Sequence, residues 1–394
     1  MLELNIFIIL SFSFLLTLIL GRFLEKLKVP WVFAALIIGI LFSLNTKIKN
    51  IILSPSFELF GQLGMYFLLF IVGFELDLNE LIKKTKYVIQ TSFFIILFEA
   101  LFSSLLIHYL FGCDWILSSI VALSFATVGE AVVVPILDEL GIINTNFGQL
   151  LIGIGTIDDI IEVFVLTCVV VLVGSGTYKS TTIFSIITVL LILFALCYGL
   201  TRLGKESKKF KFRKIELLIL LSLSILFVFV GVGKLIDADA LASLLAGISI
   251  RTFVPKERLK KIEKEVKTIC YGLFAPIFFL WAGVTTQVHY IISNPLIVIG
   301  ITSFCCLLKI IASLLSTSKI LGIKKSILLG LGLSIRFSTS IVVLKILLEN
   351  KLIGNDLYSI LMATTVVFKL FTPTILSREL ERIYKSKKCV RYTS

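Results

Sequence analysis

Apolar residues recur from one end of the chain to the other in runs of about 20 residues, and short polar stretches separate these runs. A run of this length is enough for an α-helix to cross the hydrocarbon core of a bilayer. The pattern predicts thirteen spans, approximately 4–21, 30–45, 57–76, 88–110, 115–138, 147–173, 181–201, 215–233, 236–250, 270–288, 294–315, 326–348 and 355–377. The sequence therefore predicts an all-α integral membrane fold.

Two parts of this pattern resemble each other at an offset of 210 residues. The stretches 64-GMYFLLFIVGFELDL-78 and 274-FAPIFFLWAGVTTQV-288 are both rich in aromatic residues and carry a central glycine, Gly73 or Gly283. The same offset aligns 126–130 with 336–340, which are polar interruptions of spans 5 and 12. Because span 7 lies between spans 1–6 and 8–13, the second unit enters the membrane from the opposite side. We therefore expect two inverted six-helix repeats, an architecture typical of secondary transporters.

Composition supports the membrane assignment. The mean hydropathy is +1.05, and 16% of the residues are charged. An average soluble domain carries about 25% charged residues, so the composition excludes an ordinary soluble protein.

The net charge of +13 predicts the orientation once it is distributed over the spans. One side of the membrane receives 29 Lys and Arg residues, among them those of the tail 378–394, and the other side receives five. The basic side is expected to be cytoplasmic, so the N-terminus is outside and the C-terminus inside. The charge is then explained by orientation and by attraction to anionic lipid, with no nucleic-acid partner.

Polar groups interrupt spans 5 and 12 at matching positions. Span 5 carries Thr127, Val128 and Glu130 close to a glycine and a proline, and span 12 carries Arg336 and Ser338. A broken membrane helix exposes backbone carbonyls on one half and N–H groups on the other, and these partial charges can bind ions. If the two interruptions cross, Arg336 suits the carbonyl ends and Glu130 suits the N–H ends. The alternative is a pair of ordinary kinked helices whose charges pair elsewhere.

Span 6 contains the acids of the stretch 153-GIGTIDDIIEVFVL-166. Each ionised carboxylate in a bilayer costs about 2.5–3.5 kcal/mol on insertion scales. Asp158 and Glu162 share a helix face, and Asp159 points about 100° away. A carboxylate in a low-dielectric site can hold a proton near neutral pH, and it can also bind a hard cation such as Na⁺, which predicts coupled exchange. The alternative is a structural cluster of ion pairs.

Three lysines also fall within spans. Lys309 lies several residues from either end of span 11 and is the expected counter-charge of the acids, whereas Glu162 is an expected structural partner of Arg336. Lys345 and Lys369 lie nearer their span ends, so we expect them to extend to the membrane surface.

Four stretches resemble a known family: 29-VPWVFAALIIGILF-42, 66-YFLLFIVGFELDL-78, 155-GTIDDIIEVFVL-166 and 274-FAPIFFLWAG-283. They are similar to bacterial monovalent cation/proton antiporters, in the branch of the Kef-type and Nap-type exchangers. The Asp158–Asp159 pair is the most specific of these motifs. Together with the span count, the resemblance covers nearly the whole chain.

The resemblance implies a homodimer in which a mobile core moves like an elevator against a scaffold. It assigns 1–56 and 205–268 mainly to the dimerisation scaffold, and 57–175 and 269–377 mainly to the ion-binding core with two crossed broken helices. It implies that Asp159 binds the cation and the proton, and that Asp158 pairs with Lys309. It also implies that Thr127 and the backbone at Val128 contribute to the cation site.

The function implied is exchange of a monovalent cation for protons across a bacterial inner membrane, without a cofactor. Na⁺ is the first candidate cation, with Li⁺ and K⁺ left open, and Lys309 implies electrogenic exchange. Many relatives carry Pro-Arg-Gly-Glu in the second broken helix, where this chain has Ile-Arg-Phe-Ser at 335–338, and Glu130 stands where relatives carry a neutral residue. The alternatives are a Kef-type K⁺/H⁺ exchanger without a regulatory domain, a sodium-coupled organic-solute carrier, and a non-transporting sensor or channel-like module.

Overall fold

The computed structural model describes most of the chain. The described residues are 5–75, 86–126, 133, 136–137, 140, 142–143, 145–177, 188, 191–200, 202, 215–236, 238–253, 256–335 and 338–391. Within these ranges the regular secondary structure is entirely helical. This is the outcome expected of apolar segments in a bilayer, because a helix satisfies its backbone polar groups internally.

The helices are numbered here in chain order. They are α1 (Ile6–Lys26), α2 (Phe33–Phe42), α3 (Thr46–Ile52), α4 (Pro55–Glu75), α5 (Lys86–Phe111), α6 (Trp115–Ala126), α7 (Asn146–Thr177), α8 (Leu191–Leu200), α9 (Ile215–Gly233), α10 (Asp239–Phe253), α11 (Lys256–Ile269), α12 (Ala275–Thr285), α13 (Val288–Ser293), α14 (Pro295–Leu321), α15 (Ile323–Leu333), α16 (Ser338–Glu349) and α17 (Asn355–Arg391). A π-helical turn, Cys270–Phe274, joins α11 to α12.

Seven helices among the described residues are long and apolar enough to cross a membrane. They are Ile6–Lys26, Pro55–Glu75, Lys86–Phe111, Ile215–Gly233, Ile262–Thr285, Pro295–Leu321 and Asn355–Tyr384. Many large apolar side chains on α1, α5, α9 and α14 are exposed on the outside of the protein. Exposure of this extent suits contact with lipid tails and would be a liability in water. The protein is therefore a multi-pass membrane protein, whereas the count of thirteen spans and the inversion of the repeats stay predictions.

One group of helices is held together by a direct backbone contact between α2 and α12. A Cβ atom added to Gly39 would collide with the carbonyl oxygen of Leu280, and one added to Gly283 would collide with that of Leu36. Only glycine allows two helix backbones to approach so closely. The contact lies in the middle of a large buried apolar core.

A second contact of the same kind joins α4 and α10. A Cβ atom added to Gly73 would collide with the Leu244 carbonyl, and one added to Gly247 would collide with the Phe70 carbonyl. Gly73 and Gly283 are the two glycines that the sequence repeat aligns, so each occupies an equivalent helix contact. This agreement is what two related units would produce.

The other group of helices consists of α5, α6, α7 and α14–α17, which pack against one another. The predicted span 326–348 is interrupted within this group: α15 ends at Leu333, Ser334 forms a turn and α16 begins at Ser338. Gly322, which has a positive φ of 78°, allows the sharp turn between α14 and α15. Beyond the predicted end of the last span, α17 continues to Arg391, so most of the tail that we assigned to 378–394 is helical.

Candidate functional site

Lys309 lies at the centre of the second group of helices. It is 1% exposed, and its Nζ atom donates a hydrogen bond to the carbonyl oxygen of Ala126 at 2.7 Å. It also donates to the carbonyl oxygen of Leu333. Ala126 is the last described residue of α6, and Leu333 is the last residue of α15. One ammonium group thus bridges two chain positions at which the predicted interruptions of spans 5 and 12 begin.

The chemistry of this contact follows from the helix ends. The last carbonyl groups of a helix have no partner within the helix and carry a partial negative charge. A buried cation that binds such carbonyls offsets this charge and satisfies the oxygens. Lys309 fulfils this role at Leu333. The same role for Arg336 stays a prediction, because Arg336 lies outside the described residues.

Gly330 explains why α15 comes close enough to Lys309. A Cβ atom on Gly330 would lie 2.7 Å from the Lys309 carbonyl oxygen and 2.6 Å from the Cα atom of Ile310. The backbones of α14 and α15 therefore touch at the level of Lys309, and the end of α15 falls within reach of its ammonium. Ser334 further satisfies this helix end, because its hydroxyl donates to the Gly330 carbonyl at 2.9 Å.

Glu99 on α5 is a third partner of Lys309. Its Oε2 atom lies 3.3 Å from the Lys309 Nζ atom, and both side chains are 1% exposed. Glu99 was not among the residues predicted for the site. The available signal was a lone acid in the middle of the apolar run 88–110, because an ionisable residue within a span requires a partner.

The acids of span 6 lie on α7, which extends over Asn146–Thr177. Asp158 is completely buried, and α7 packs against α5, α6, α15 and α16. The backbones of Asp159 and Glu162 belong to the same helix, but their side chains are outside the described part of the structure. The Asp158–Lys309 pair and the role of Asp159 stay predictions.

The remaining predicted site residues fall in or beside the two interruptions. Thr127, Val128, Glu130 and Arg336 lie outside the described residues. Ser338 begins α16, and its side chain is likewise outside the description. The next two residues of α16, Thr339 and Ser340, are buried.

The position of Lys345 contradicts the prediction that its side chain extends to the membrane surface. It is 3% exposed, its Nζ atom lies 3.8 Å from the centre of the Trp281 ring, and it donates to the Thr285 hydroxyl at 2.9 Å. Glu349 completes the site at 3.6 Å. Proximity to a span end was a wrong guide to its position, because Trp281 and Thr285 of α12 contact the Lys345 ammonium within the protein. The same prediction was made for Lys369, whose side chain lies outside the described part of the structure.

A helix break beside buried charges is an arrangement found in ion transporters. Comparison with known proteins identifies the family of transporters. A family profile described as "Sodium/hydrogen exchanger, transmembrane" matches residues 11–381. The chain belongs to this family. The prediction of a monovalent cation/proton antiporter family is thereby confirmed.

Two curated relatives of this exchanger cover nearly its whole length. It is 28% identical over 381 residues to the "Probable Na(+)/H(+) antiporter 3" of Methanocaldococcus jannaschii, which covers 94% of each chain. It is 23% identical over 369 residues to the "Na(+)/H(+) antiporter" of Enterococcus hirae, which covers 91% of this chain and 94% of the relative.

A solved structure supports the fold of the exchanger. The sodium proton antiporter MjNhaP1 from Methanocaldococcus jannaschii, determined at pH 8, matches with a TM-score of 0.66. The match covers 95% of each chain at 17% sequence identity, and a similarity at this identity is evidence for the fold only. The all-helical antiporter fold predicted from the sequence is confirmed, and the protein is a member of a family of membrane transporters.

Proposed function

We propose that this exchanger carries Na⁺ and H⁺ in opposite directions across a membrane by alternating access. The observation that carries the proposal is the position of Lys309, which binds the carbonyl ends of two helices beside the acid-bearing helix α7. A site that combines backbone carbonyls, the carboxylates of α7 and this lysine would allow a small cation and a proton to compete. The relatives named as Na⁺/H⁺ antiporters favour Na⁺ as the cation.

In this proposal Asp159 is the carboxylate that alternates between the cation-bound form and the protonated form. A single carboxylate cannot hold both ligands at full occupancy, so binding of one releases the other. Thr127 and the backbone at Val128 supply further oxygen ligands at the first interruption. These oxygen types suit a hard cation.

Asp158 and Lys309 form the accompanying charge pair. When Asp158 binds the ammonium, its negative charge is offset, and Asp159 is left as the exchanging group. When the pair separates, Lys309 returns to the carbonyl ends at which the structure has it. Movement of this buried charge is the basis for an electrogenic exchange, in which more charge moves as protons than as cation.

We propose that Glu130, Arg336 and Ser338 act at the interruptions predicted for spans 5 and 12. We propose that Glu130 supplies the negative charge that the Pro-Arg-Gly-Glu pattern of relatives provides from the second broken helix. Arg336 then pairs with it across the crossing or with Glu162 on α7. This relocation would change the pH range or the cation preference and would leave the exchange reaction intact.

The moving parts follow from the same proposal. A core built mainly from 57–175 and 269–377 would move against a scaffold of 1–56 and 205–268 that forms a homodimer. The membrane is the bacterial inner membrane, with the N-terminus outside and the basic tail in the cytoplasm.

Purified protein in proteoliposomes with an internal pH-sensitive dye tests the proposal. The expected result is a change of internal pH on addition of Na⁺, with a smaller response to K⁺, at a series of pH values. A response driven by K⁺ alone would identify the Kef-type alternative. A Na⁺ flux that requires an organic solute would identify the solute carrier, and no response to any cation would overturn the proposal.

A further inference from the structure

Glu99 and Lys309 form a buried ion pair that the proposed mechanism does not use. The Oε2–Nζ distance is 3.3 Å, and each side chain is 1% exposed. Glu99 lies near the middle of α5 (Lys86–Phe111), far from either end of the helix. A carboxylate at such a depth cannot reach water, so its charge must be offset within the protein.

Apolar residues pack beside Glu99 in the described part of the chain. Ile96, Ala100 and Ala126 form a small buried cluster on and beside its turn of α5, with Leu123 and Ile161 packed against it. One turn further along α5, the Ser103 hydroxyl lies 3.8 Å from the Cys305 sulfur on α14. The helices α5 and α14 are therefore packed closely beside the ion pair.

The ionisable groups on the neighbouring helices are few. The described stretch of α6, 115–126, carries none. α14 carries Lys309, Lys319 and the thiols of Cys305 and Cys306, and α7 carries Asp158, Asp159, Glu162 and the thiol of Cys168. Glu99 thus shares the ammonium of Lys309 with the carbonyl ends of two helices.

We propose that Glu99 is a second carboxylate partner of Lys309, which holds the ammonium at the helix ends in this state and exchanges it with the acids of α7 during transport. This inference rests on the proposed function. Glu99 is then a positioning residue: it acts on the ion-binding acid through Lys309 and does not itself contact the cation. A cation beside a carboxylate favours its charged form, so the position of Lys309 sets how strongly α7 binds protons.

The consequence of removing Glu99 has a definite direction. In Glu99→Gln the lysine loses its competing partner and stays with the acids of α7, which then bind protons more weakly. The acidic limb of the activity profile, where protons outcompete Na⁺, should move to lower pH by about one unit or more. Glu99→Asp retains the charge at a greater distance and should give a smaller shift in the same direction.

The test measures Na⁺-driven proton flux in proteoliposomes from pH 5 to 9 for the wild-type protein, Glu99→Gln and Glu99→Asp. Glu216→Gln, which changes an exposed glutamate on α9, is the control and should keep the wild-type profile. A shifted acidic limb in the Glu99 variants supports the proposal. A folded Glu99→Gln protein with the wild-type profile overturns it, and if that variant does not fold, an unshifted Glu99→Asp profile overturns it instead.

A second measurement separates this inference from the proposed function. A wild-type protein without cation-driven flux overturns both, whereas wild-type flux with an unshifted Glu99 variant overturns the role of Glu99 alone. Thermal unfolding of Glu99→Gln, Lys309→Met and the double variant then tests the ion pair itself. The double variant should lose less stability than the sum of the single variants, because neither charge is left buried alone. Additive losses would contradict the pairing.

Discussion

The Cα atom of Gly283 lies 3.0 Å from the position that a Cβ atom would take on Gly39, so α2 and α12 meet backbone to backbone. Gly283→Ala forces this contact apart, and overpacking of this kind typically costs about 1–3 kcal/mol of stability. We expect a lower thermal-unfolding temperature in detergent and loss of transport. Gly231→Ala on α9 is the matched control, because nothing lies within 4 Å of its added Cβ atom. Equal stability of the two variants would contradict the close helix contact.

The contact of Gly330 with α14 gives a prediction about the site itself. Gly330→Ala should move α15 away from Lys309 and weaken the hydrogen bond to the Leu333 carbonyl. Transport should fall by about tenfold or more, because an increase of about 1.4 kcal/mol in the barrier slows a step tenfold. Gly300→Ala, on α14 but with open space around the added Cβ atom, should transport like the wild type. Proteoliposome flux assays decide this, and full activity of Gly330→Ala would show that the approach of α15 is not needed.

Removal of Lys309 should affect both stability and voltage dependence. Lys309→Ala leaves Glu99 buried without this partner, and breaking a buried ion pair costs about 3–5 kcal/mol. The folded fraction of the Lys309→Ala protein should transport slowly, and its residual exchange should be electroneutral. Lys319→Ala, an exposed position on the same helix, is the control. Flux measured at two clamped membrane potentials tests the prediction, and unchanged voltage sensitivity of Lys309→Ala would count against a charge-carrying lysine.

The second buried lysine, Lys345, connects α16 to α12. Its ammonium lies 3.8 Å from the centre of the Trp281 ring, and a desolvated cation–π contact is worth about 2 kcal/mol. Lys345→Met should therefore lower the unfolding temperature, whereas Lys324→Met, at an exposed position, should not. Light-scattering or fluorescence melts of the two variants make the comparison. If both melt like the wild type, the buried contact of Lys345 contributes nothing to the fold.

The sequence was sufficient for the fold class because a bilayer restricts a chain to few solutions. Long apolar runs must be helices, and the basic residues must be distributed between two sides. The sequence repeat also identified Gly73 and Gly283 as equivalent positions, and both form close helix contacts. The interruption of span 12 was predicted from its polar residues, and α15 and α16 are separate helices.

The interaction partners of the buried charged residues could not be predicted from the sequence. Lys309 was predicted to be a buried cation, but the residue pattern along α14 does not indicate which helix ends contact its ammonium group. Glu99 was overlooked because a single acid in an apolar run has no local partner in sequence. Lys345 was misassigned because its depth depends on coverage by α12, which is a property of tertiary packing. In each case the missing information is which helix lies opposite, and a one-dimensional pattern does not contain it.

The central claim is that a carboxylate on α7 exchanges Na⁺ for H⁺, and Asp159→Asn tests it most directly. The amide is close in size to the carboxylate but can neither carry the negative charge nor release a proton at physiological pH. The decisive measurement is Na⁺-driven proton flux in proteoliposomes of this variant, with a thermal-unfolding curve to establish that it is folded. The account predicts a folded protein without Na⁺-driven proton flux at any pH, and wild-type flux in the folded Asp159→Asn protein would contradict it.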